Sequence, residues 1–525
     1  MNIVAGGIAA NIYSAAESQP EKLAVICGDD TLTYKELLVL CRGFAHFLRI
    51  RGVVRGEKVL LGSSNSIEFV AILVAIADLG AILAPISPSL SIEAMSKAIH
   101  SIEARHVIAN TQIIDALRKH DGVDENIDNW IRLDKPEIDD AGSHYLGREL
   151  DFQDSDSSPI SDGEESLPYI LTMTSGSTGD PKPIILTQGS KIARAKALTD
   201  LYDVDGNDII LAATPMYHSL AQRLVLTPLL NGGTSVIMPK YSVQNWLGMI
   251  DQHGVSFTII VSSQIVAITQ FLEKLTPEDR SDTSSLRMMV SSSAALKLED
   301  KQRALNVFSC EFHECYGASE IAIATSLKLS LEQEDLGSVG FAAPGVDIEI
   351  LSEDGDICQI GEVGEIACRT PMLFGGYYKL PEKTAQSMQD GFFKTGDLGR
   401  MDERGALYFC GRAKDVIIVG GMNVYPSDIE NVISQIPGVF ACAAFSMEND
   451  SLGEVPAIAI VKDTQLPEVD VTARAVRRVS SQHLADFQCP QRIVFIDTLP
   501  TNNMGKLMRR ELEAKFGSKD WTPKT

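Results

Sequence analysis

Apolar residues along the 525-residue chain change spacing from one segment to the next, and the spacing sorts segments into strands and helices. The stretch GDDTLTYKELLVLCRGFAHFLRIRG reads as a short strand pair followed by a helix entered near Thr33, with apolar positions three and four apart. KVLLGSS then reads as a strand, IEFVAILVAIADLG as a helix and AILAPIS as a strand. Strands alternating with helices in this way predict parallel sheets covered by helices. The alternation returns with PYILTMTS, DIILAATP, TSVIMP and SFTIIVSS. From about Gly337 the pattern becomes strand-rich, with VDIEILSEDGDIC and VGEIACRT broken by turn dipeptides. After Arg412 come short strands and two amphipathic helices, SDIENVISQI and TARAVRRVSSQHLADF. The predicted class is α/β: a large N-terminal domain over residues 1–411 and a small α+β C-terminal domain over 412–525.

The longest apolar run, Phe69 to Ile86, is long enough to raise the question of a membrane span. It contains Asp78, Gly80 and Pro85, so a buried helix running into a strand is the better reading. The N-terminus lacks a basic stretch followed by an apolar core, which argues against a secretory signal. Nine cysteines, scattered and without a C-x-x-C pair, fit reduced thiols rather than a disulfide framework or a zinc cluster. The expected location is the cytoplasm.

Charge narrows the partners. The chain has 46 basic and 70 acidic residues, a formal charge of −24. Residues 121–166 alone hold 15 acidic and 3 basic residues, whereas the segment from Arg412 onward holds 14 and 13. A nucleic-acid binder needs a basic footprint to displace counterions, and docking on anionic lipid needs one too. Neither partner is expected. The acidic window, rich in Ser, Asp, Gly and Pro, reads as a surface excursion with little core of its own.

The strongest chemical signal is Thr174-Ser175-Gly176-Ser177-Thr178-Gly179-Asp180-Pro181-Lys182. An apolar strand enters a loop of glycines and hydroxyls closed by a lysine. Glycines let backbone N–H groups turn toward an anion, hydroxyls add donors, and lysine adds a point charge suited to phosphate. The Walker pattern G-x-x-x-x-G-K-[ST] fails here, because Pro181 stands at its second glycine and Pro183 follows Lys182. This is a phosphate loop of another kind. Further along lie Tyr316-Gly317-Ala318-Ser319-Glu320, Gly396-Asp397, Gly411-Arg412-Ala413-Lys414-Asp415, and a lysine on a glycine-containing loop, Gly505-Lys506. Each alone is unremarkable, but together their order is specific.

That ordered set resembles the ANL superfamily of adenylate-forming enzymes, which includes acyl-CoA and aryl-CoA synthetases. The likeness extends from LTYKEL through LGAILAPIS, LRMMVSSSAAL, GSVGFAAPG and GEVGEIACR to Lys506. It implies a large N-terminal domain of stacked, helix-covered sheets and a small mobile C-terminal domain turning on a hinge near Lys414. It also implies a two-step reaction: a carboxylate attacks ATP to give an acyl-adenylate and pyrophosphate, and a nucleophile then displaces AMP. Such a barrier is electrostatic and calls for donors, cations and Mg2+ rather than a covalent protein nucleophile.

On this resemblance Thr174, Ser175, Gly176, Ser177, Thr178, Gly179 and Lys182 hold the β- and γ-phosphates, with Thr178 and Glu320 on the metal side. Tyr316 and Gly317 meet the adenine, with Ser292, Ser293 and Ala294 beside them and Ser319 in the same motif. Asp397 accepts from the ribose hydroxyls, Arg412 lies near ribose and phosphate, and Lys506 bridges carboxylate and α-phosphate. Gly420 and Gly421 face the acceptor channel. His218, in Met216-Tyr217-His218-Ser219, gates the acyl pocket or contacts the carboxylate; the competing reading is a satisfied core histidine. An Asp in place of His218 would pair an α-ammonium, so an amino acid is disfavoured. Leu220, Val225 and Leu226 fit a fatty, alicyclic or aryl acid. The acceptor stays open between a thiol, either CoA or the phosphopantetheine of an acyl carrier protein, and an amine. A non-catalytic nucleotide-binding relative is the third reading, opposed by the joint presence of Lys182, Glu320, Asp397 and Lys506.

Three departures from the family pattern stand out. Pro183 follows Lys182 where glycine is usual, Ser292 and Ser293 replace a glycine pair, and no second lysine follows in GRAKDVIIVGG.

Overall fold

A computed structural model describes residues 6–135, 143–148, 150, 165–174, 182–294, 296–331, 336–463, 469–501 and 507–521. Thr33 caps the helix Tyr34–Arg49 as expected: its hydroxyl accepts from the Glu36 N–H while Glu36 accepts from the Thr33 N–H at 2.7 Å. The apolar run forms the helix Ile67–Leu79, buried at every position but Glu68, and it stops at Gly80, whose φ of 62° is left-handed. The strand Ile82–Ile86 follows. Asp78 is tolerated there because it accepts a hydrogen bond from the Tyr13 hydroxyl at 3.1 Å. Among the described residues no helix is long and apolar enough to cross a membrane.

Two helix-covered sheets form the N-terminal part. The first has seven strands, in spatial order His144–Tyr145, Asn129–Arg132, His106–Ala109, Lys58–Gly62, Ile82–Ile86, β1 (Pro168–Thr174) and β2 (Lys182–Thr187). All its pairings are parallel except β1 with β2. The second has nine strands, in order Asp30–Thr33, Leu23–Cys27, Thr234–Ile237, Ile209–Ala212, Phe257–Val261, β3 (Met288–Ser292), β4 (Glu311–Tyr316), Thr325–Lys328 and Phe341–Ala342. Helices α1 (Gln188–Tyr202) and α2 (Ser219–Asn231) pack together, and residues of both share one hydrophobic core with the helix Ile67–Leu79.

A third, antiparallel sheet contains Asp347–Leu351, Gly364–Arg369, Met388–Gln389, β5 (Phe392–Met401) and β6 (Leu407–Arg412). Arg412 ends this sheet, a short turn occupies 413–415, and a fourth sheet with its own core opens at Ile417.

Two expectations need correction. Part of the acidic window is core, because Asn129–Arg132 is a fully buried strand with Trp130 and Ile131 inside. Four residues flanked by acidic chain are too few to show a period. The C-terminal strands are not all short either: Val439–Asn449 and Gly453–Lys462 form a long hairpin, and a third helix spans Arg509–Phe516.

Candidate active site

The phosphate-loop hypothesis rests on the hairpin β1–β2, in which Thr174 and Lys182 are paired opposite one another. Ser175, Gly176, Ser177, Thr178 and Gly179 fall outside the described residues. So does Lys506, which follows the bridge partner Thr501 and directly precedes the other partner, Leu507. Pro183 lies within β2, the edge strand of its sheet. An edge position is where a residue without an N–H is accommodated. Its carbonyl accepts from the Tyr378 N–H at 2.9 Å.

The turn after β4 is tightly built. A Cβ on Gly317 would lie 1.7 Å from the Ala322 carbonyl oxygen, so only glycine fits. The Ala322 N–H donates to the Ala318 carbonyl at 2.8 Å, and the Ala324 N–H to the Tyr316 carbonyl at 2.8 Å. Arg194 on α1, wholly buried, donates to the carbonyls of Ser319 at 2.9 Å and Glu320 at 3.1 Å. It also reaches the Met372 carbonyl and the Ser219 hydroxyl, both at 3.1 Å. Burial pulls this guanidinium down to about 9, with Arg223 adding to the effect and Glu320 opposing it. The Glu320 carboxylate itself is half-buried and accepts from the Tyr377 hydroxyl at 3.3 Å.

Tyr316, Asp397 and Arg412 come together although nearly a hundred residues separate the first from the last. The Tyr316 hydroxyl donates to Asp397 Oδ2 at 2.9 Å, and Arg412 Nε lies 3.5 Å from Asp397 Oδ1. Asp397 and Arg412 are directly paired across β5 and β6, which explains the second contact. Burial, then the Asp397 charge, raises the Tyr316 phenol well above its ordinary range. The Tyr316 ring leans on Phe409 with centroids 5.8 Å apart.

Ser292 ends β3, and Ser293 follows with φ of 76°. Left-handed backbone at a non-glycine residue is uncommon and strained. The exposed Ser293 therefore occupies a conformation that suits the glycine of the family pattern. The Ala294 carbonyl accepts from the Ser262 hydroxyl.

His218 is the residue just before α2. Its ring packs on Tyr217 with centroids 4.6 Å apart, and its buried Nε2 has no hydrogen-bond partner among the described residues. Burial drives this imidazole down to about 4, so it is neutral at pH 7. The segment before it is pinned by Asn65, which accepts from the Met216 N–H at 2.6 Å and donates to the carbonyls of Thr214 and Met238.

At the C-terminal end, Lys414 sits in the 413–415 turn. Gly420 and Gly421 have φ of 57° and 89° and form the two-residue turn between Ile417–Val419 and Met422–Val424. Two residues with positive φ are what such a hairpin requires.

Residues 12–378 match the AMP-binding enzyme family, and residues 428–506 match the AMP-binding enzyme C-terminal domain. The chain belongs to the AMP-binding enzymes. A long-chain-fatty-acid–CoA ligase, FadD13 of Mycobacterium tuberculosis, is 27% identical over 93% of this chain and 94% of its own. An indoleacetate–CoA ligase of Aromatoleum aromaticum is 29% identical over 97% and 98%. The crystal structure of ATP-bound MatB from Rhodopseudomonas palustris superposes with a TM-score of 0.86 at 25% identity, covering 98% of this chain and 99% of that one.

This AMP-binding enzyme also uses residues that sequence reasoning passed over. Arg194 and Tyr377 hold the Glu320 segment, and Asn65 holds the His218 segment. Lys191 on α1 and Arg223 on α2 are buried as well. The available signal was a charge inside an apolar helical run, as in KIARAKAL and LAQRLVL.

Proposed function

We propose that this enzyme activates a carboxylic acid with ATP, forming an acyl-adenylate and pyrophosphate, and then passes the acyl group to a thiol. The observation that supports the reading best is the convergence of Tyr316, Asp397 and Arg412 beside the turn that carries Glu320. A buried carboxylate with paired acceptor oxygens suits a ribose diol. The adjacent ring offers an adenine face, and Arg412 offsets phosphate charge. Glu320 is a hard oxygen donor fixed through its own carbonyl by Arg194, so it fits Mg2+, which takes one or two carboxylates together with substrate phosphates. That ion would supply electrostatic stabilisation of the phosphates.

The other roles follow from the same reading. Lys182 and the hydroxyls of 174–178 hold phosphate, and Lys506 brings a compact cation to carboxylate and α-phosphate. The 413–415 turn acts as the hinge on which the C-terminal domain moves, with Gly420 and Gly421 toward the acceptor. His218, neutral and with an unused ring nitrogen, borders the acyl pocket. The two curated relatives named above are CoA ligases, which favours CoA as the thiol.

The test is release of AMP and pyrophosphate from ATP with a panel of aliphatic and aryl acids, run with CoA, with an amine or with neither. Acid-dependent pyrophosphate together with a CoA thioester is expected. An amide in place of the thioester would overturn the thiol assignment, and no pyrophosphate with any acid would overturn the whole reading.

A further inference from the structure

A buried ion pair joins the helix α3 (Leu298–Val307) to β4, and no step of the adenylation reading uses it. Lys301 on α3 places its Nζ 2.5 Å from Glu314 Oε2, and the two residues are 4% and 2% exposed. The same ammonium donates to the Leu336 carbonyl at 2.5 Å. The other carboxylate oxygen, Glu314 Oε1, accepts from the Leu296 N–H at 3.0 Å.

That last bond closes a loop. Ser291 on β3 is paired with Glu314 in the sheet, so Glu314 holds the chain on both sides of residues 292–294: at Ser291 through the strand pairing, and at Leu296 through its side chain. Ser262 adds a second tie, because its hydroxyl lies 3.2 Å from Ser291 Oγ and donates to the Ala294 carbonyl. Between these ties Ser293 keeps its φ of 76°, a conformation that persists only where the surroundings impose it. The Ser292 hydroxyl hydrogen-bonds the thiol of Cys315, the residue before Tyr316. The loop therefore lies against the end of β4 that carries the proposed adenine face.

Buried ion pairs are poor sources of stability, since apolar residues of similar volume serve as well or better. What this pair supplies, and an apolar pair would not, is a fixed acceptor for the Leu296 N–H, with Lys301 balancing the charge on that acceptor. We propose that Glu314 is a positioning residue for ATP: held by Lys301, it sets the loop of Ser292, Ser293 and Ala294 against the adenine. The inference rests on the adenylation reading above, which puts these three residues at the adenine edge. Glu314 acts through the loop backbone rather than by touching substrate. Its loss should weaken nucleotide binding and leave recognition of the carboxylic acid unchanged.

The experiment removes the charge pair and then the acceptor. Lys301→Met with Glu314→Gln leaves an uncharged acceptor for the Leu296 N–H, whereas Lys301→Met with Glu314→Met leaves none at nearly the same shape. Both lose the Leu336 bond, so their difference isolates the loop contact. ATP binding is measured by calorimetry without acid, and KM for ATP and for the acid by pyrophosphate release. The Gln variant should bind ATP within about threefold of wild type, and the Met variant about tenfold more weakly than the Gln variant, with the same KM for the acid in both. Equal ATP affinity in the two variants, or KM values for ATP and acid that rise alike, would overturn the proposal while leaving adenylation standing. If the wild type binds ATP but releases no pyrophosphate with any acid, adenylation fails and the calorimetric comparison still decides the role of Glu314. A wild type that does not bind ATP would overturn both. In the wild type ATP should also slow amide exchange in a peptide covering residues 291–297, and unchanged exchange would overturn the proposal whether or not the variants fold.

Discussion

Replacing Gly317 by alanine tests whether the turn after β4 positions Glu320. The added Cβ would sit 1.7 Å from the Ala322 carbonyl oxygen, 2.8 Å from the Ala322 carbonyl carbon and 3.2 Å from the Ile323 Cα. All three are backbone atoms, so no side-chain rotation relieves the overlap, and the turn must retreat by more than about 1 Å. Overpacking of this kind costs about 1–3 kcal/mol, below the roughly 5–15 kcal/mol that holds a domain folded. The protein should therefore fold and displace the turn. Displacement of a catalytic group by about 1 Å is enough to cost roughly 10²-fold. We expect acid-dependent pyrophosphate release by Gly317→Ala to fall about a hundredfold in kcat, with a cooperative melt retained. Activity within about threefold of wild type would refute the idea that this turn sets the position of Glu320.

Two further substitutions probe strain and protonation. Ser293→Gly relieves a left-handed φ at an exposed residue, worth about 1–2 kcal/mol, against roughly 0.5–1 kcal/mol of added chain entropy. Urea unfolding should show a net gain of about 0.5–1 kcal/mol, and a loss would contradict the strain assignment. For His218, the unfolded imidazole titrates near 6.5 and the folded one near 4. Between these values the unfolded chain binds a proton that the folded chain does not, so stability rises with pH across the window and is lost as pH falls. The loss reaches about 3 kcal/mol by pH 4. His218→Gln should show a shallower pH dependence of unfolding free energy than wild type between pH 6.5 and 4, and an unchanged slope would argue against the buried neutral ring.

Much of the fold was legible because its signals are local. Thr33 marked the start of a helix, and Asp78 with Gly80 separated a buried helix from a membrane span. The candidate site was proposed from a string of short motifs whose order carried the family resemblance. What stayed hidden depends on long-range pairing. Asn129–Arg132 becomes a strand only beside His106–Ala109, and the buried arginines make sense only once α1 and α2 face β4. Tyr377 reaches Glu320 through the bridge between Ile184 and Tyr377, a contact that no local period encodes.

The central claim is that this chain adenylates a carboxylic acid, with Lys506 serving that step alone. Exchange of labelled pyrophosphate into ATP, beside turnover of a supplied acyl-adenylate, tests it most directly. The wild type should show acid-dependent exchange without CoA, and Lys506→Ala should lose exchange while still consuming the acyl-adenylate with CoA. Equal loss of both activities would contradict the role of Lys506, and absence of exchange in the wild type with every acid would contradict the claim itself.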